Sequence, residues 1–290
     1  MEIDLIPVLL REHFGTRQLP REPEPQSMDG SEQVDAYFSS GSDENGIMAV
    51  SNLFHAAHAT QVLHGCKKVL DLGCGPAIQL ARIAELNPDC HFVGVDLSIE
   101  MLDRAHTLIA KNRLSNIEVV KGDITKLEQF SDASFDGIIS TVTLHHLPRA
   151  DDLARSFYQM SRVLRARGAI YLADFSRLKS LKSVLYFAYK YRHKLPHVLC
   201  LDYERSLRAA FLSSDFQKQM HHLASYQAIL YITRVLPFML AIKTKDRDVS
   251  PDIKIVIKNK RLALPQQYRN ELDDLRLLFR MSGLNDSIFT

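Results

Sequence analysis

Residues 67–98 read KKVLDLGCGPAIQLARIAELNPDCHFVGVDLS, and few folds accept that order. Val69, Leu70 and Leu72 form a short apolar run that ends in the turn Gly73-Cys74-Gly75. A helical pattern follows from Ile78 to Leu86, then a second apolar run, Phe92 to Val95, closed by Asp96. Strand, tight turn, helix, strand and acid open a parallel sheet that binds a nucleotide-like ligand at the carboxyl ends of its strands. Gly73 and Gly75 lack a Cβ, so the backbone can turn sharply and come close to a ligand. The helix after them aims free N–H groups at it. Asp96 falls about 20 residues beyond the glycines, where an acid accepts from both ribose hydroxyls. The dinucleotide pattern G-x-G-x-x-G is broken, because residue 78 is Ile.

VLDLGCGPA and FVGVDLS resemble the first- and second-strand motifs of the Rossmann-like S-adenosylmethionine (AdoMet) dependent methyltransferases, in their small-molecule and quinone-biosynthesis branch. Ala77 stands where that family often has a third glycine. The resemblance implies an α/β fold: a doubly wound, mostly parallel seven-stranded sheet with an antiparallel last strand, a helical cap insertion and a C-terminal helical tail. It also implies AdoMet as cofactor, held by Asp71, Gly73, Cys74 and Gly75 at the turn and by Asp96 and Leu97 after the second strand. Met101, in the first turn of the next helix, lies near the expected adenine and would equally suit core packing. Lys121-Gly122-Asp123-Ile124 ends a third strand, Ile117 to Val120. There the family implies that Asp123 accepts from the adenine amino group, with Gly122 and Ile124 beside it; the other reading is a turn-forming Gly-Asp pair. The fourth strand, Gly137 to Thr141, leads into VTLHHLP, a second point of resemblance. Thr141 and Val142 then face the methionine part of the cofactor.

Methyl transfer from a sulfonium is in-line displacement and requires alignment and exclusion of water. A base is needed only when the acceptor loses a proton. His145 and His146 are the candidate catalytic residues at that rim; the alternative is that they cap the strand–helix junction. No metal is expected, because adjacent residues diverge and no carboxylate partner is evident in the sequence. Cys66, Cys74, Cys90 and Cys200 have neither metal spacing nor the look of an arsenic-binding set.

A formal charge of +2 over 290 residues gives no drive toward nucleic acid. The expected partner is a small or lipid-like acceptor, with peripheral membrane contact. Four cysteines without CxxC spacing and no visible signal peptide suggest a reduced, cytoplasmic setting. The longest apolar stretch, Leu223 to Ile242, contains Arg234 and Pro237 and reads as two strands rather than a membrane span.

The chain divides into an N-terminal arm and lid helices (1–58), an AdoMet-binding core (59–175), a helical cap (176–222), the last two strands (223–248) and a C-terminal extension (249–290). The arm opens on an amphipathic segment, Ile3 to His13. The proline-rich link LPREPEPQ is expected to run extended, and a helix to begin at Ser27. Ser39 to Asn45 reads as a loop. Tyr37 is a candidate lid contact over AdoMet. Ala150 to Arg167 reads as a helix, and Gly168 to Phe175 as the fifth strand. The basic, aromatic stretch Leu178 to Lys194 reads as one cap helix. Ile253 to Ile257 suggests an extra strand or extended arm, and Pro265 to Met281 an amphipathic helix that docks on the domain or in a homodimer. Two other functions stay open: an RNA or protein methyltransferase, and a non-catalytic AdoMet-binding regulatory subunit.

Overall fold

The computed structural model describes residues 5–25 and 30–290. Expectations at Ile3 and at Ser27 lie outside those residues. In chain order the elements are α1 Ile6–Phe14, α2 Ser31–Ser42, α3 Ala49–Leu63, β1 Lys68–Leu72, α4 Ile78–Leu86, β2 His91–Asp96, α5 Ile99–Asn112 and β3 Ile117–Lys121. Then come β4 Phe135–Thr141, α6 Ala150–Val163, β5 Leu164–Phe175, α7 Leu181–Tyr189, α8 His197–Ala209 and α9 Ser213–Gln219. The chain ends with β6 Ile229–Ile232, β7 Met239–Lys243, α10 Pro251–Ala263 and α11 Gln266–Arg280.

The seven strands lie in the order β3-β2-β1-β4-β5-β7-β6. β7 runs antiparallel to both of its neighbours, and the remaining pairs are parallel. Strand order reverses between β1 and β4, and a crevice opens there at the carboxyl ends. Successive side chains on a strand point to opposite faces, so Val69 joins one core and Leu70 the other. One core is shared with α3, α4, α5 and α11, the other with α6 and α9.

α3 is buried along nearly its whole length and circumference. The sheet takes one side of it and the C-terminal extension the other, the condition under which a helix loses its polar face. Phe54 of α3 stacks on Phe279 of α11 with centroids 5.1 Å apart. Arg276 of α11 donates to Asp286 at 2.8 Å. The amphipathic helix at the chain's end therefore docks on its own domain.

Four local expectations are corrected. Residues 253–257 are helical, because Ser250-Pro251-Asp252 starts α10 with proline at its first turn and an acid near its amino end. α2 runs on through Ser39–Ser42, and Gly41 lets it close on α4: a Cβ there would stand 2.7 Å from Ile78 Cδ1. α6 stops at Val163, and β5 begins four residues early at Leu164 with a register shift opposite Phe135. The basic cap helix is only α7, capped by the Ser180 hydroxyl, and turns follow it at residues 190–194.

Candidate functional site

A cavity of about 470 Å³ opens at the carboxyl ends of β1, β2 and β4. Every residue nominated from the sequence lines it: Tyr37, Asp71, Gly73, Cys74, Gly75, Asp96, Leu97, Met101, Gly122, Asp123, Ile124, Thr141, Val142, His145 and His146.

The glycine turn explains itself in atomic terms. Gly73 has φ +71°, and a Cβ on it would meet Thr143 Cγ2 at 1.9 Å. Thr143 instead donates its hydroxyl to the Gly73 carbonyl at 3.0 Å. Gly73 and Cys74 donate their N–H groups to the Val95 carbonyl at 2.8 and 3.0 Å, tying the turn to β2. Gly75 has φ +51°, and nothing lies within 4 Å of the Cβ it lacks, so the turn presents bare backbone to the cavity. Asp96 accepts from the Gly75 N–H at 2.8 Å and from the Ser98 N–H at 2.9 Å. Ser98 in turn caps α5 by accepting from Met101 N–H at 3.2 Å, and Met101 is buried in that first turn.

Asp123 both shapes a turn and lines the cavity. Its Oδ1 accepts from the Thr125 N–H at 2.9 Å and the Thr125 hydroxyl at 2.7 Å. These bonds and Lys126 outweigh partial burial and hold its carboxyl below the usual range. Asp71 goes the other way: burial, with Asp96 adding to it, pushes its carboxyl up to about 8. Val142 has φ +54°, a left-handed conformation that a β-branched residue adopts only where its surroundings impose it. Its N–H donates to the Ala173 carbonyl at 2.8 Å.

The cavity has two chemical ends. Asp71, Asp96 and Asp123 line one, and Lys190 is the only lysine or arginine among the described lining residues. That end suits a nucleoside carrying positive charge. The other end is largely aromatic, with Phe187 stacked on Phe238 at 5.0 Å and Phe175 5.4 Å from Tyr203, and it also carries Asp202, Glu271, Asp274 and Lys190.

His145 and His146 follow β4 in a 3-10 turn. His145 is buried, and its Nδ1 pairs with Asp174 Oδ1 at 2.7 Å while its backbone N–H donates to Asp174 Oδ2 at 3.0 Å. Burial opposes its charge, but Asp174 and Glu24 outweigh burial and raise it. Burial and the neighbouring His145 push His146 down to about 3. Burial pushes Glu24 up to about 7 against the pull of His145. The expectation that the pair lacks a carboxylate partner is corrected: Glu24 Oε1 stands 3.5 Å from His145 Nε2 and 3.2 Å from His146 Nδ1.

Glu24 and Arg21 are the residues that sequence reasoning missed. Residues 19–25 of the proline-rich link are neither helix nor strand, and Arg21 ties them to this rim. Arg21 donates to the carbonyls of Ala209 at 2.6 Å, Pro148 at 2.6 Å, Leu147 at 2.5 Å and His145 at 2.9 Å, and its guanidinium lies 3.7 Å over the Phe211 ring. The one usable signal was REPEP itself, charged residues set between prolines that hold the backbone extended.

The four cysteines are buried and unpaired. No helix among the described residues is long and apolar enough to cross a membrane.

A family model described as a methyltransferase domain matches residues 63–227. An arsenite methyltransferase of Halobacterium salinarum is 36% identical over 107 residues, 37% of this chain and 26% of that protein. A demethylmenaquinone methyltransferase of Roseiflexus castenholzii is 32% identical over 168 residues, 57% of this chain and 67% of that protein. A malonyl-[acyl-carrier protein] O-methyltransferase of Legionella pneumophila is 28% identical over 129 residues, 44% of this chain and 43% of that protein. The matches thus span between a quarter and two thirds of these relatives. Among solved structures, an S-adenosyl-L-methionine-dependent methyltransferase described as putative, from Methanococcus maripaludis, superposes with a TM-score of 0.55 at 17% identity, over 79% of this chain and all of that one. The plantazolicin methyltransferase in complex with SAH gives 0.53 at 16% identity, over 74% of this chain and 92% of that one. These two likenesses establish the fold.

Proposed function

The chain belongs to the methyltransferase domain family, and from that premise we propose that it transfers the methyl group of AdoMet to an oxygen, nitrogen or carbon of a small, lipid-like acceptor. One observation carries the reading: a single cavity joins an acid-lined end to an aromatic end. Bound AdoMet supplies a methyl carbon on a positively charged sulfur that is already a good leaving group.

The chain's own residues do the rest. Gly73 and Gly75 leave room for the cofactor against the backbone, and Asp96 grips its ribose. Asp71 faces its positive charge. Asp123 and Ile124 hold the adenine, with Met101 and Leu97 against it, and Tyr37 closes over the site from α2. Thr141 and Val142 present the end of β4 to the methionine portion. Phe175, Tyr186, Phe187 and Tyr203 would surround the acceptor and exclude water, holding its nucleophilic atom toward the methyl group that the cofactor would supply. His145 and His146 act on the acceptor's reacting group from the cavity wall.

The relatives act on arsenite, demethylmenaquinone and malonyl-acyl-carrier protein, by their names. Buried cysteines on separate elements do not suit arsenite, and the aromatic end suits an apolar acceptor. The outer faces of α1 and α7 support delivery from a lipid surface. Ile6, Leu10 and Phe14, spaced by four, are exposed, as are Leu181 and Leu185. Arg11, Arg17, Lys179 and Lys182 border them. The acid of α1, Glu12, is turned inward, where it accepts from the N–H groups of Lys179 at 2.8 Å and Ser180 at 3.2 Å. Leu5, Tyr186 and Phe187, at the same two helices, line the cavity. A homodimer through the extension would use α10, where Ile255, Val256 and Leu262 are exposed.

Labelled-methyl AdoMet, incubated with the protein and cell extract, tests the reading after separation into lipid, RNA and protein. Label in the lipid or small-molecule fraction is expected. Label confined to RNA or protein overturns the acceptor class, and AdoMet binding without any labelling favours a regulatory subunit.

A further inference from the structure

Glu24, His145 and His146 form the one group of three histidine, cysteine or acidic side chains, among the described residues, whose ligand atoms all lie within 4.8 Å of one another. Their separations are informative. Glu24 Oε1 is 3.5 Å from His145 Nε2 and 3.2 Å from His146 Nδ1. Two atoms bound to one first-row ion, each roughly 2.0–2.2 Å from it, stand roughly 3.0–3.5 Å apart. A proton shared between Glu24 and His145 would instead draw Nε2 and Oε1 to hydrogen-bond length. His145 Nε2 makes no hydrogen bond although it is buried, with the residue 1% exposed.

The surroundings orient these atoms as ligands. Asp174 Oδ1 pairs with His145 Nδ1 at 2.7 Å, which leaves Nε2 as the ring atom that faces Glu24. A carboxylate behind a histidine in this way fixes tautomer and ring direction and raises ligand basicity. Ser206 donates its hydroxyl to Glu24 Oε1 at 3.2 Å. Arg21, three residues before Glu24, pins the strap to the His145 carbonyl at 2.9 Å.

We propose that Glu24, His145 and His146 bind a divalent first-row transition ion of the Zn²⁺ or Fe²⁺ kind in the wall of the cavity. Two imidazoles and one carboxylate suit such an ion better than Mg²⁺ or Ca²⁺, which take oxygen ligands. Three protein ligands leave positions open, and both histidines line the cavity. The open side takes an oxygen or nitrogen of the acceptor. For a hydroxyl acceptor the ion favours loss of the O–H proton to water. The oxygen then bonds to the methyl carbon as the carbon–sulfur bond breaks, and its electron pair leaves with sulfur. This role for the ion rests on the methyltransferase reading; the ion site itself does not.

Full-length protein treated with a chelator and then titrated with Co²⁺, followed by visible absorption, tests the site. One equivalent of Co²⁺ is expected to bind and to be displaced by Zn²⁺. Glu24→Gln and His146→Ala should abolish the band, and Asp174→Asn should weaken binding about tenfold. His221→Ala, in the surface pair His221-His222, should leave it unchanged. Circular dichroism confirms that each variant is folded. A folded wild-type protein that binds no equivalent of Co²⁺ overturns the site, and so does a band lost in His221→Ala and kept in Glu24→Gln. AdoMet affinity, measured by calorimetry on the same protein, separates the two claims. AdoMet binding without Co²⁺ binding ends the ion site alone, and the reverse ends the methyltransferase reading alone.

Discussion

Asp71 shows how one side chain reports on the ligand. Burial beside Asp96 pushes it up to about 8, so it carries a proton at neutral pH in the free protein. A cationic ligand favours its carboxylate form and lowers that value. AdoMet binding at pH 7 is therefore expected to release a proton, and affinity to rise with pH toward about 8. Calorimetry in buffers of different ionisation enthalpy reads the release, and Asp71→Asn should abolish it. Heats that do not depend on the buffer in the wild-type protein would count against a positive charge beside Asp71. At this scale the sequence was most legible where neighbours in the chain are neighbours in space. Gly73, Gly75, Asp96 and Asp123 each work within one strand end or turn. Glu24 was not legible, since it meets His145 and His146 only because a strap from the amino-terminal arm crosses the rim.

Two elements carry predictions of their own. The strap is held by Arg21, whose guanidinium bonds the carbonyls of Ala209, Pro148, Leu147 and His145. Hydrogen bonds to a charged group contribute about 1.5–3 kcal/mol each, so Arg21→Ala should release the strap. Limited proteolysis is expected to cut near Glu22 and Glu24 in the variant and not in the wild type. Turnover should fall while AdoMet affinity holds, because the glycine turn lies elsewhere; equal protease resistance in both proteins would contradict this. The paired faces of α1 and α7 predict flotation with anionic vesicles. Phe14, 71% exposed, is the largest apolar contributor, and Phe14→Ser should reduce flotation without changing the melting temperature. Undiminished flotation would place the lipid contact on another face. Element existence could be read from period and punctuation, but boundaries followed packing. The β-branched run at residues 253–257 reads as strand in isolation; proline at the helix start and the surface offered by α3 made it helix.

Across the whole molecule, the C-terminal extension completes the cavity. α11 covers the outer side of α3 and contributes Leu275 and Leu278 to the aromatic end. Phe279, fully buried against Phe54, is the keystone contact. Phe279→Ala is expected to cost about 3–5 kcal/mol and to lower the melting temperature, with acceptor turnover falling more than AdoMet affinity. A melting temperature equal to that of the wild type would show that the extension packs elsewhere. Strands β1 to β4 and the glycine turn followed from local motifs between residues 67 and 143, and the seven-stranded plan from the family resemblance those motifs carry. The aromatic end of the cavity did not, because α7, α8, β7 and α11 build it from segments with no motif of their own.

The central claim is that this cavity binds AdoMet through the glycine turn and Asp96. Isothermal titration of the purified, folded chain with AdoMet tests it most directly. Saturable one-to-one binding is expected, weakened about tenfold or more by Asp96→Ala, the loss of a charged hydrogen-bond partner. No binding at millimolar AdoMet, or the same affinity in Asp96→Ala as in the wild type, would contradict it.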